Sequence, residues 1–112
     1  MRVTFVKKIK ADGSPCRKCA EVERRLIDAG LMDRISDIVV ADERDPQSPG
    51  IRLAARHNVD AAPFFVVQDP GGGAERVYTV YFKFVKEVLN ASVSEQEEAA
   101  ELLERNPSLS HL

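Results

Sequence analysis

Two cysteines, Cys16 and Cys19, are the only ones in a chain of 112 residues, and Arg17 and Lys18 separate them. Chance alone produces this spacing roughly 2% of the time, so a function for the pair is favoured. Three uses fit the spacing. In thiol–disulfide exchange one thiolate attacks a disulfide, and a second thiol within reach resolves the mixed disulfide that forms. A structural dithiol in a protein-binding module requires no sulfur chemistry. A metal or iron–sulfur carrier needs four ligands, which one pair supplies only when a second copy or an added thiol completes the set. A disulfide scaffold of this size carries four or more cysteines and does not fit.

The elements around the pair decide what each sulfur can do. Arg2 to Ile9 (RVTFVKKI) is rich in β-branched and aromatic residues and reads as a first strand. Lys10 to Pro15 (KADGSP) is a turn, and Pro15 fits the first positions of a helix that the cysteines open. Cys19, Val22, Leu26 and Ala29 recur at helical spacing, Ala20 and Ile27 widen the stripe, and Gly30 suits a left-handed cap. At the start of such a helix Cys16 faces solvent and free backbone N–H groups, while Cys19 lies one turn on and partly buried. The helix dipole and the two intervening cations favour a thiolate at Cys16. Cys16 is the expected nucleophile and Cys19 the expected resolving thiol.

Ile35 to Ala41 reads as a second strand, and Ser48 as the N-cap of a second helix from Pro49 to His57. Asn58 closes that helix in the left-handed region. A third strand begins at Pro63 and runs through Phe64, Phe65, Val66 and Val67. Gln68 to Gly73 forms a hairpin loop to a fourth strand, Glu75 to Val80; a phosphate cradle at this glycine run would need a helix to follow. Phe82, Val85, Val88 and Leu89 lie on one side of a third helix, Tyr81 to Asn90. Ser94 and Glu97 suggest a capping box for a fourth, from 95 to 105. The expected fold class is α/β, a central four-stranded mixed sheet in the order β-α-β-α-β-β-α flanked by helices. Residues 1–90 form the domain, and 91–112 are a C-terminal helical extension docked on it.

Three places resemble the thioredoxin and glutaredoxin superfamily over residues 2 to 90. They are Ser14-Pro15-Cys16-Arg17-Lys18-Cys19 directly after strand 1, Ile51 to Val59, and Ala61-Ala62-Pro63-Phe64-Phe65-Val66-Val67. The resemblance implies a thioredoxin-like fold in the short glutaredoxin-like layout, a cis Pro63 beside the sulfur pair, and main-chain groups of Ala62 that pair with a bound peptide. It implies thiol–disulfide oxidoreductase activity with Cys16 attacking and Cys19 resolving. Pro15, Arg17, Lys18, Ala62 and Pro63 would support the site. No cofactor or metal is expected, and the partners would be a disulfide-containing protein and a thiol reductant. The sequence departs from the family in four places. Pro15 replaces the aromatic residue of thioredoxins, and no proline stands between the cysteines. No acid occurs in residues 2 to 10, leaving Asp12 as the nearest substitute for their buried carboxylate. Thr79-Val80-Tyr81-Phe82 replaces the glutathione-holding Gly-Gly turn of glutaredoxins.

The remaining composition sets the boundaries. A net charge of −2 disfavours a whole-surface nucleic-acid binder, and 44% apolar with 30% charged residues supports a globular fold. No apolar run reaches the roughly 18 residues of a membrane span, and the N-terminus lacks the pattern of a secretory signal, so the cytosol is the expected compartment and no membrane partner is expected. His57 at a helix end and His111 near the C-terminus read as surface residues.

Overall fold

The computed structural model describes residues 1–90. The chain divides into two compact units, Met1–Thr79 and Val80–Leu112. The first contains β1 (Arg2–Ile9), α1 (Arg17–Asp28), a 3₁₀ turn (Met32–Arg34), β2 (Asp37–Asp42), α2 (Pro49–Arg56), β3 (Phe64–Gln68) and β4 (Arg76–Tyr78). The second contains α3 (Tyr81–Glu87), in which Tyr81, Phe84 and Val85 are buried. Phe82, expected in the apolar stripe, is half-buried. The fourth helix expected over 95–105, the extension 91–112 and His111 lie outside the described residues.

The described residues are α/β, with a four-stranded mixed sheet in the order β2-β1-β3-β4. β1 runs parallel to β2 and antiparallel to β3, and β4 returns antiparallel to β3. Alternation along β1 separates two faces. Val6 packs with Ala41, Phe64 and Val66, joined by Ile51, Leu53 and Ala54 of α2. Phe5 stacks edge-on against Phe65 at 5.1 Å, and Lys7 on that same face meets Glu23 of α1 at 3.3 Å. The two helices of the first unit therefore cover opposite faces, with the end of β1 between them.

Local chemistry sets the element boundaries. Gly30, at φ +70°, lets its own N–H reach Ile27 and that of Leu31 reach Leu26, closing α1 with two bonds. Asn58, at φ +56°, closes α2 in the same region. Other expectations need correction. Ala20, Ile27 and Ala29 are exposed, so the buried face of α1 is the narrower set Cys19, Val22 and Leu26. The fourth strand shortens to three residues. Ser48 occupies the N-cap position of α2, yet its Oγ accepts the Asp42 N–H at 3.0 Å and caps no helical donor. His57, expected at the surface, is half-buried: its side chain is 14% exposed, and Nε2 lies 3.0 Å from Glu75 Oε1 without making a hydrogen bond.

Candidate active site

Cys16 is the N-cap of α1, with extended backbone at φ −72°, ψ 121°. Its Sγ accepts the Cys19 N–H at 3.3 Å, the bond a serine or aspartate oxygen makes in ordinary caps. Its carbonyl accepts the first intrahelical bond, from Ala20 at 3.1 Å. Pro15 lies before the helix rather than in its first turn, because it forms an isolated antiparallel bridge with Ile9. The turn 10–15 is closed by Lys10 and Ser14, whose main chains bond at 2.8 Å, while Asp12 accepts both the N–H and the hydroxyl of Ser14.

One strand residue fastens both cysteines. The Lys8 carbonyl accepts the Cys16 N–H at 3.2 Å, and the Lys8 N–H donates to Cys19 Sγ at 3.3 Å. The end of β1 thus fixes the backbone of one cysteine and the sulfur of the other. Both cysteines are free thiols. Cys19 is 2% exposed, and burial pushes its thiol from 9.0 up to about 12. Contact with Cys16 adds to that rise, and the Lys8 N–H opposes it. Cys16 is 8% exposed, where the sequence placed it facing solvent. The difference follows from the cap: the side chain turns back over the first turn to take the Cys19 N–H and does not project outward.

The raised Cys19 value has a consequence for stability. Its folded value lies above its unfolded one, so the stabilisation is fully present below about pH 9 and is lost as pH climbs toward about 12. Thermal melts between about pH 8 and about pH 11 are expected to fall more steeply for the native chain than for Cys19→Ala. Parallel curves for the two proteins would contradict this.

The Ala62–Pro63 peptide is cis. Pro63 is buried and Ala62 half-buried. The register that pairs Val6 with Phe64 brings this peptide to the same end of β1 from which Lys8 holds the cysteines. A hollow of about 360 Å³ opens there, lined by Lys8, Glu43, Asp60, Ala61, Ala62 and Phe64 among others. Pro15 and Arg17 are exposed and Lys18 is half-buried.

No protein family, curated protein or solved structure matches the chain.

Two contributors escaped the sequence reading. Lys8 acts through its main chain, which no side-chain motif reveals. Glu23 stands four residues beyond Cys19, one turn along the helix, and holds Lys7 at 3.3 Å. Its i, i+4 spacing from Cys19 was the available signal, where the sequence offered Asp12 as the nearest acid; the contact Glu23 makes is with Lys7. Asp12 is instead exposed and held below the ordinary carboxylate range by the Ser14 hydroxyl and N–H. Among the described residues no group of three or more His, Cys, Asp or Glu side chains is placed to hold a metal ion. Nor is any helix there long and apolar enough to cross a membrane.

Proposed function

We propose that this chain is a thioredoxin-like thiol–disulfide oxidoreductase that reduces or exchanges protein disulfides through Cys16 and Cys19. The observation that carries the reading is the unequal setting of the two sulfurs. Cys16 Sγ lies at the N-terminus of α1 and accepts the Cys19 N–H, while Cys19 Sγ is the more deeply buried of the two and kept as a thiol. A mixed sheet in the order β2-β1-β3-β4, a Cys-x-x-Cys directly after β1 and a cis-proline directly before β3 support the thioredoxin-like assignment.

In the proposed reaction the Cys16 thiolate attacks one sulfur of a substrate disulfide. A Cys16–substrate disulfide forms, and the other substrate sulfur leaves as a thiolate that takes a proton from water. Cys19 then gives its proton to solvent and attacks Cys16 Sγ, which releases the second substrate thiol after protonation. The substrate gains two electrons and the chain ends with a Cys16–Cys19 disulfide. A thiol reductant reverses these steps and restores the dithiol. The main-chain groups of Ala62 would hold the substrate chain in extended pairing beside the sulfurs.

A second reading, a non-enzymatic module that binds a partner through the groove at Pro63, draws on the small exposure of Cys16. One variant separates the two. Cys19→Ser is expected to accumulate a stable Cys16 mixed disulfide with a disulfide substrate, detected as a mass adduct that a reducing agent removes. Absence of any adduct, with partner binding unchanged in a Cys16→Ser/Cys19→Ser double variant, would support the binding module instead.

A further inference from the structure

The charge around the site departs from that of the chain as a whole. The full chain carries −2, yet the segment from Lys7 to Arg25 holds seven Lys or Arg against three Asp or Glu. Several of these cations are neutralised locally: Lys7 by Glu23, Lys8 by Glu43 and Arg24 by Asp28. Lys10 and Arg17 are exposed and enter no ion pair among the described residues, although Asp12 in the same turn feels the charge of Lys10, so Arg17 is the cation with the freer field. Arg17 is the first residue of α1, directly after Cys16, and Lys10 opens the turn that leads to it. The N-terminus of α1 adds its partial positive charge to the same surface. The hollow beside Ala62 is lined by Glu43 and Asp60 together with Lys8, so the exposed cations stand next to Cys16 in the chain while carboxylates gather by Ala62.

From this polarity we infer that the preferred substrate is a protein disulfide whose attacked cysteine is flanked by acidic residues on the side that meets Lys10 and Arg17. The inference rests on the oxidoreductase reading. It adds selection by charge: fixed cations beside the nucleophile raise the encounter rate of an anionic disulfide and lower that of a cationic one, by a factor that salt removes. The extended pairing at Ala62 requires a peptide chain, which is why the anion is placed on a protein and not on a small molecule.

The test compares kcat/KM for two peptides of one sequence bearing the same disulfide, one flanked by Glu and one by Lys, with oxidised glutathione as a third substrate. At about 10 mM salt, where charges act over about 30 Å, the Glu peptide is expected to be favoured about tenfold. At about 1 M salt, where the range is about 3 Å, the two peptides should agree within about twofold. The Lys10→Glu/Arg17→Glu double variant should reverse the preference at low salt. Equal rates at low salt, a preference that neither salt nor charge reversal moves, or faster turnover of oxidised glutathione than of the Glu peptide would overturn the inference and leave the oxidoreductase reading standing. Failure to turn over any of the three would remove both.

Discussion

Cys16→Ser is expected to reduce disulfide exchange by about three orders of magnitude or more while leaving the fold intact. The loss follows from the nucleophile: a serine hydroxyl does not ionise near neutral pH and forms no bond to sulfur that exchange could use. The preserved fold follows from the cap. Cys16 Sγ accepts the Cys19 N–H at 3.3 Å, and serine is among the preferred residues for that position. The Lys8 carbonyl bonds the backbone of residue 16, so this anchor survives as well. Exchange rates, with thermal melts on the same samples, check both halves. Retained turnover would exclude Cys16 as the nucleophile. A melting temperature lowered by more than about 5 °C would show that its sulfur has a structural duty the cap does not account for.

The largest expected effect on stability lies away from the sulfurs, at Gly50 in the first turn of α2. A Cβ built there would meet Ala41 N at 2.3 Å, the Val40 carbonyl carbon at 2.5 Å and Ala41 Cα at 2.6 Å. All three are main-chain atoms of β2, and the pairing of Lys7 with Val40 and Lys8 with Ala41 restrains them. No flexible side chain can yield. Replacing glycine by alanine within a helix ordinarily gains about 1 kcal/mol, so propensity alone predicts stabilisation. Overpacking against fixed backbone outweighs it, and Gly50→Ala is expected to cost about 3 kcal/mol, or some 12 to 24 °C in Tm for a domain of about this size. Denaturant melts of Gly50→Ala provide the check. An unchanged or raised midpoint would mean that α2 does not pack this closely on β2.

These two positions also mark what the sequence made legible. The spacing of the cysteines, the strand before them and the apolar face of the helix after them were readable because each is a local pattern. Gly30 and Asn58 were readable because few other residues adopt their backbone conformation. Gly50 was not: a glycine demanded by a neighbouring strand looks in sequence like any other, and its reason lies in the loop-spanning contact with Ala41. The near coverage of Cys16 was hidden for a similar reason. Both an outward and a backward-turned side chain are compatible with a helix start, and the choice is made by the Cys19 N–H. The fourth strand was read too long because Thr79 and Val80 continue an alternation that the sheet does not follow, and Val80 becomes the N-cap of α3. The partial burial of His57 was not legible because Glu75, whose carboxylate lies beside it, is distant in sequence.

The main-chain clasp at Lys8 divides the labour at this site between two kinds of inheritance. An amide and a carbonyl are common to every amino acid except proline, which lacks the amide, so the placement of the two sulfurs is insensitive to which side chain position 8 bears. The ammonium at that position, now shared with Glu43, is correspondingly free to be exchanged. Descendants of this sequence could retune the polarity beside the sulfurs without disturbing the geometry on which the proposed exchange depends.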